Sequence, residues 1–345
     1  MLTAPTRRSP KVLRLLVTLI LVVAGFVTPI AIASPAAAEP GEDGGPTQAA
    51  LRDALAVALR DYNDAKGRVD ASIARQAEMT AQETKTRERL VELEARAGTV
   101  ASAAYMGRRM NMAVALLDSG SPEGLLHAAT TVQYLVSRDD RAIHELAATR
   151  KLLAEQQKWL ADELKLQQDQ LAIMDKKKKD AEDALRKSGG GQTVSGPTGG
   201  RANANPAGRN SDGSFPSQGC TIKDPTGTGG CITQRMLNAY NEARKAGFTR
   251  YTKCWRSSGS GEHPKGRACD FSANATTFAN VRASGGDKTY GDNLAAWCIA
   301  NASRLGVLYV IWYKRIWQPS SGWKSYGGDG TVAGDHYNHV HLSMQ

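Results

Sequence analysis

Cysteine is absent from the first 219 residues of this 345-residue chain, and all five cysteines (220, 231, 254, 269 and 298) fall in the last third. None forms a C-x-x-C pair, which excludes the usual thiolate zinc cluster. Proline is nearly absent between Thr47 and Lys187, where Pro122 stands alone, so nothing there interrupts long helices except one short stretch. Aromatic residues make up only 6% of the chain, and no apolar run after the first forty residues is long enough to cross a bilayer. Acidic residues are in deficit, with Lys+Arg 44 against Asp+Glu 34 and a net charge of +10.

Residues 1–38 read as a secretory signal. Arg7, Arg8, Lys11 and Arg14 precede an apolar run from Leu15 to about Ala33, and Ala36-Ala37-Ala38 offers a small-residue cleavage site. An exported chain makes its cysteines disulfide candidates. Cys220 and Cys231 bracket a Pro/Gly-rich loop, Cys254 and Cys269 lie on neighbouring expected strands, and Cys298 is left as a buried thiol. From residue 216 onward Lys+Arg number 15 against 8 Asp+Glu, which suits an anionic surface such as a bacterial wall. Export, with no recognisable nucleic-acid motif, argues against nucleic acid as a partner.

Residues 47–187 are rich in Ala, Leu, Glu, Lys, Arg and Gln, with apolar residues at three- and four-residue steps. Leu51, Leu55, Ala58, Tyr62, Ala65 and Val69 form one seam. Ala142, Leu146, Leu153, Leu160, Leu164, Leu171 and Met174, interleaved with Thr149, Gln156 and Gln167, form another. Gly98, Gly107 and the run Ser119–Gly124 break the pattern, with Ser121 suited to cap a second helix and Pro122 to open it. The expected architecture is an antiparallel coiled-coil hairpin. Its tip is built from Met106, Met110, Met112, Leu116, Leu117, Leu125 and Leu126, either as its own core or as a docking surface. Residues 188–217, poor in apolar side chains, read as a flexible linker.

Residues 218–345 read as an α+β domain, an antiparallel sheet with flanking helices. A helix is expected over about 234–246 capped by Thr233, strands over about 250–256 and 267–272, and a helix from Asp292 to Arg304. A continuous apolar strand Val307–Trp312, a return through Ile316-Trp317 and a last strand His339–Ser343 follow. His263 falls in a loop, Asp270 on the second strand, and Gly266 permits the tight return between them. His339 and His341 share one face of the last strand, since side chains repeat every two residues. If that strand lies beside the one carrying Asp270, then His263, Asp270 and one terminal histidine converge as a three-ligand zinc site with an open position. Alone, an H-x-H on a strand is usually surface decoration, and Glu262 reads as a solvated charge. Trp255, Trp312, Trp317 and Trp323 line a cleft or fill the core.

The stretch Ser260-Gly-Glu-His263-Pro-Lys-Gly266-Arg-Ala268-Cys-Asp270, with His339-Val340-His341, resembles the paired signatures of the D-alanyl-D-alanine carboxypeptidase and hedgehog-type zinc peptidases, a group that also includes the lysostaphin-type enzymes. The resemblance covers roughly residues 218–345 and also looks like exported domains of high-GC Gram-positive bacteria. It implies Zn2+ held by His263, Asp270 and His341, and an oxyanion-steadying role for Arg256 within Trp255-Arg256-Ser257. Where the carboxypeptidases carry a general-base Glu this chain has Asn338, and where the hedgehog-type arrangement carries one it has Asp335. The base is then Asp335, or His339 as in lysostaphin-like members, and we favour the two acting together. The helical part, with Ala104-Tyr105-Met106-Gly107 and Leu116-Leu117-Asp118-Ser119, resembles the hairpins of secreted peptidoglycan hydrolases. Such a hairpin restrains the catalytic domain or docks on a division-linked membrane transporter complex of the FtsEX type. The expected function is a secreted, wall-associated zinc peptidase acting on peptidoglycan. The runner-up is a catalytically weak zinc-containing wall-binding module, and a purely structural coiled-coil protein comes third.

Overall fold

Two helices of unequal length account for the first half of the molecule: α1, Gln48–Tyr105, and α2, Pro122–Lys187. The computed structural model describes residues 48–107, 114, 121–257 and 261–345. The signal-like segment 1–38, Ser260, and the tip residues Met110, Met112, Leu116 and Leu117 lie outside the described residues. Ser121 caps α2 as expected, its side chain accepting from Gly124 N at 3.1 Å with Pro122 in the first position.

The two helices pack along a three–four seam that is unusually polar. All six apolar residues expected on α1 are buried, and the seam continues through Ser72, Thr86 and Leu93. On α2, Leu164 and Leu171 are exposed, and Glu163 rather than Leu164 takes the inward slot. Glu163 is held there by Arg75, with Nη2 to Oε1 at 2.5 Å, and Gln76 bonds Gln167 at 2.9 Å. A long heptad run leaves such one-position shifts open, because an arginine on the facing helix can recruit a glutamate in place of its apolar neighbour. At the far end Tyr105, Met106, Leu125 and Leu126 are exposed, so the described part of the expected tip is not a packed core.

The second half is α+β. Its elements are β1 (Ile222–Lys223), β2 (Cys231–Ile232), α3 (Gln234–Lys245), β3 (Thr252–Lys253), β4 (Ala268–Ser272), α4 (Gly285–Ala300), α5 (Ala302–Leu305), β5 (Val307–Trp312), β6 (Arg315–Gln318), β7 (Gly322–Ser325) and β8 (His339–Met344). Six strands form one antiparallel sheet in the order β3-β4-β8-β5-β6-β7. Cys269, Phe271, Val340, Leu342 and Met344 point to one face and pack with Met236, Leu294 and Trp297 of α3 and α4. Both expected disulfides, Cys220–Cys231 and Cys254–Cys269, are formed, and Cys298 is a free buried thiol whose pKa burial pushes up. Two disulfides fit an oxidising compartment. Among the described residues no helix is long and apolar enough to cross a membrane.

Three local expectations change. The strand expected over 250–256 shrinks to two residues, because the amides of Cys254 and Trp255 bond Thr226 Oγ1 and Asp224 Oδ2 instead of a neighbouring strand. The helix expected from Asp292 begins at Gly285 behind Ser284, and Asp292 inside it accepts from Trp312 Nε1 at 2.8 Å. The expected flexible linker is an ordered strap. Residues 191–194 bond β7, with Ser325 N to Gln192 O at 2.8 Å. Pro197 O accepts from Trp323 Nε1, and Asn203 Oδ1 from Trp297 Nε1. Two of its glycines serve close approach rather than freedom: a Cβ on Gly196 would lie 2.5 Å from the Trp323 ring, and one on Gly200 2.2 Å from Ala296 O.

The start of the hairpin packs on the other face of the sheet. Leu55, Leu59 and Leu185 join Leu308, Tyr309, Ile311, Ile316 and Tyr326 in one buried cluster. Asn63 Nδ2 donates to Val307 O at 3.2 Å, and Gln345 Nε2 to Arg60 O at 2.9 Å. The hairpin is therefore docked on the face of the sheet that carries the histidines.

Candidate metal centre

β4 and β8 are adjacent and antiparallel, with Asp270 opposite His341 and Ser272 opposite His339. Alternation along β8 sends His339, His341 and Ser343 to the face away from α3 and α4, and alternation along β4 sends Asp270 there too. His263 arrives from the preceding loop. That loop closes on Gly266 (φ +65), where a Cβ would meet Cys220 Sγ at 2.4 Å, so glycine is required for both conformation and space. The Cys254–Cys269 disulfide ties this loop's two ends.

Three ligand atoms result, one each from His263, Asp270 and His341, all within 4.8 Å of one another. His263 Nε2 is 3.1 Å from His341 Nδ1 and 3.1 Å from Asp270 Oδ1, and His341 Nδ1 is 2.8 Å from Asp270 Oδ1. A tetrahedral zinc with bonds of about 2.0–2.2 Å spaces its ligands about 3.3–3.6 Å apart, so the triangle is a few tenths of an ångström tighter than a zinc site. The outward bonds agree with the inward roles. His263 Nδ1 meets Cys254 O, a carbonyl that can only accept, so this nitrogen carries the proton and Nε2 turns a lone pair inward. His341 Nε2 lies 2.7 Å from Ser343 Oγ; with its proton there, Nδ1 is likewise a lone pair. Two lone pairs and a carboxylate oxygen within about 3 Å repel unless a cation joins them, and the donor set therefore fits zinc.

The electrostatics favour positive charge at the same place. Burial would raise the Asp270 carboxyl, but His263 and His339 hold it well below the usual range. Burial pushes His263 toward neutrality, but Asp270 more than offsets this and the net shift is upward. Both directions favour a positive charge between them. His341 is pulled by burial to about 4, the neutral form a ligand needs. Tyr309 stacks on its ring, 5.6 Å between centroids at 12°.

The centre lies in a cleft of about 510 Å³ whose walls include Trp255, Arg256, Phe278, His336 and His339, together with Arg52 of α1. His339 Nε2 is 3.6 Å from Asp270 Oδ1, and its Nδ1 is 2.8 Å from Asn338 Oδ1. The structure thus brings His263, Asp270, His341, His339 and Arg256 together. Asp335 is the exception. Its carboxylate is buried outside the cleft wall, accepts from Lys314 Nζ at 2.9 Å and Gly330 N at 3.3 Å, and ties the β5–β6 turn to the loop before β8. Position in sequence relative to His341 could not reveal that Lys314 claims it. Trp312 and Trp323 are core, and only Trp255 of the four tryptophans lines the cleft. Glu262 is not solvated: its side chain is fully buried and bonded to Arg60 of α1 and to Lys265.

His336 was missed. It lines the cleft, its ring 4.6 Å from that of His339 and 5.6 Å from that of His341, and burial with these two histidines pulls its pKa well below the ordinary value. The clustering of His336, His339 and His341 within six residues was the available signal. Its positive φ of 55° turns the ring back toward the sheet, which no strand periodicity anticipates.

Among known proteins, the family model described as VldE, C-terminal domain, matches residues 228–337. The matched stretch contains His263 and Asp270 and ends two residues before His339. No curated protein and no solved structure matches the chain.

Proposed function

We propose that the chain is an exported zinc-dependent peptidase acting on peptidoglycan stem peptides or crosslinks. The observation that carries this reading is the triangle of His263 Nε2, Asp270 Oδ1 and His341 Nδ1, with outward partners on both imidazoles that leave their second nitrogens free to face inward. Zinc, when bound there, supplies a Lewis acid for the scissile carbonyl and makes water a nucleophile near neutral pH. His339 is the proton acceptor. Its Nδ1–H donates to Asn338 Oδ1, leaving Nε2 unprotonated toward the centre, and burial lowers its pKa so that the ring stays neutral. Arg256, on the cleft wall, donates to the oxygen on which charge develops. His336, its ring tilted at 43° against that of His339, holds that ring in place. Asp335 has no part in proton transfer. The wall as substrate rests on the resemblance and on the basic charge of the domain.

A second reading, a zinc-bearing wall-binding module without turnover, is favoured by one observation: the only carboxylate expected to act as a base is committed to Lys314. Metal analysis of chain purified without chelator tests the shared part. One zinc per chain, lost in His263→Ala, supports both readings, and a metal-free wild type that folds normally removes both. Turnover separates them.

A further inference from the structure

We infer that Arg52, carried by the helical hairpin, is a substrate-binding residue of the cleft, and that it selects peptides bearing a free carboxylate. This rests on the peptidase reading and names its specificity. Arg52 lies on α1, one turn before Leu55 of the docked cluster, yet it lines the same cleft as His263, Asp270 and His341. It also lines the smaller cavity between hairpin and sheet. Its guanidinium stands 5.8 Å from the centre of the Tyr326 ring, and its Nε is buried without a hydrogen-bond partner.

The neighbouring cations have hydrogen-bond partners, and Lys253, also on the cleft wall, donates to Thr226 O at 2.6 Å. Arg60 bonds Glu262, and Lys265 bonds Asp53 at 3.0 Å and Glu262 at 3.3 Å. Among the described residues Arg52 forms no ion pair, and neither does Arg256 on the same cleft wall. Asp270 is committed to the metal centre. Asp329, the other carboxylate on the wall, accepts from Thr331 N at 2.9 Å and Thr331 Oγ1 at 2.7 Å. Arg52 helps hold the Asp329 carboxyl below its ordinary range but bonds no carboxylate itself, and a guanidinium with no bonded carboxylate beside a reactive centre calls for one from the ligand. The planar fork of arginine matches a carboxylate bidentately, and the cleft's volume is that of an ordinary small-ligand site. The hairpin is then one wall of the binding site and not a tether alone.

The test uses the full chain loaded with zinc and two probes: a peptidoglycan stem pentapeptide with a free C-terminal carboxylate, and the same peptide as its C-terminal amide. Binding is read by calorimetry and turnover by mass analysis, in wild type, Arg52→Gln and Arg52→Lys. A charge-assisted hydrogen bond lost from a binding site weakens affinity about 10- to 150-fold. We expect that loss for the acid in Arg52→Gln, as KM rather than kcat, so that the wild-type preference for acid over amide collapses. Arg52→Lys keeps the charge on a slightly shorter stem without the planar fork, and recovers part of the preference. Equal handling of acid and amide by wild type, or an intact preference in Arg52→Gln, overturns the inference while turnover of either peptide leaves the peptidase reading standing. No binding and no turnover of any peptide by wild type removes the peptidase reading and the inference with it.

Discussion

Asp270 and His341 face each other across the β4–β8 pair, with Oδ1 and Nδ1 2.8 Å apart. A one-residue slip of β8 would turn His341 away from the cleft while Asp270 kept its facing. The centre is therefore as rigid as the middle of the sheet, and only His263 depends on a loop.

The outer contacts of the centre should be measurable through the metal. Ser343 Oγ orients His341 through Nε2 at 2.7 Å. Loss of such an orienting partner typically weakens metal affinity about 10- to 100-fold. Ser343→Ala should show that loss in a competitive zinc titration while the fold, read by circular dichroism, persists. Unchanged affinity would remove Ser343 from this role.

His339 and Asp335 separate cleanly. A positioned general base contributes about 10²–10⁴-fold to rate, so His339→Ala should retain zinc and lose turnover by that factor. Asp335→Asn should retain zinc and most turnover. It should lower stability, because the buried carboxylate exchanges its charge-assisted bond with the half-exposed Lys314 for that of a neutral amide. If Asp335→Asn instead abolishes turnover in a fully folded protein, the assignment of the base is wrong.

The strap gives a stability prediction. Gly200→Val places a side chain where Ala296 O already lies, 2.2 Å from the new Cβ. Overpacking of this kind costs about 1–3 kcal/mol, to be read as a lower denaturant midpoint with an unchanged slope. A truly flexible linker would tolerate the change at no cost.

Acid stability should depend on Asp224. Burial opposes its ionisation, but bonds from Thr228, Thr226 and the Trp255 amide overcome this and hold its pKa below the ordinary value. A depressed folded pKa lends stability above the unfolded value, about 3.9, that is lost as pH falls through the folded one. Asp224→Asn should be less stable at neutral pH and should lose less on acidification than wild type. Parallel acid limbs for the two proteins would contradict this.

The residues that were legible are those whose roles follow from local spacing. Thr233 and Ser121 cap their helices, Val307–Trp312 is a central strand, and His339 and His341 share a face because alternation demands it. The α+β sheet behind a helical hairpin follows from the same periodicities. What was not legible depends on partners distant in sequence. Asp335 has the composition of a base, but Lys314 and Gly330 decide its direction. Gly196 and Gly200 look like freedom until Trp323 and Ala296 are seen against them. Glu262 looks solvated until Arg60, some two hundred residues earlier, covers it. The docking of Leu55 and Leu59 on Tyr309 and Ile311 is invisible to heptad spacing, because a seam residue looks the same whichever surface buries it.

The most direct test is mass analysis of purified peptidoglycan after incubation with the zinc-loaded full chain and with its His263→Ala variant. The account predicts newly shortened or uncrosslinked stem peptides from the wild type and none from the variant. Fragment patterns that are the same for the two proteins, whether both cleave or neither does, would contradict it.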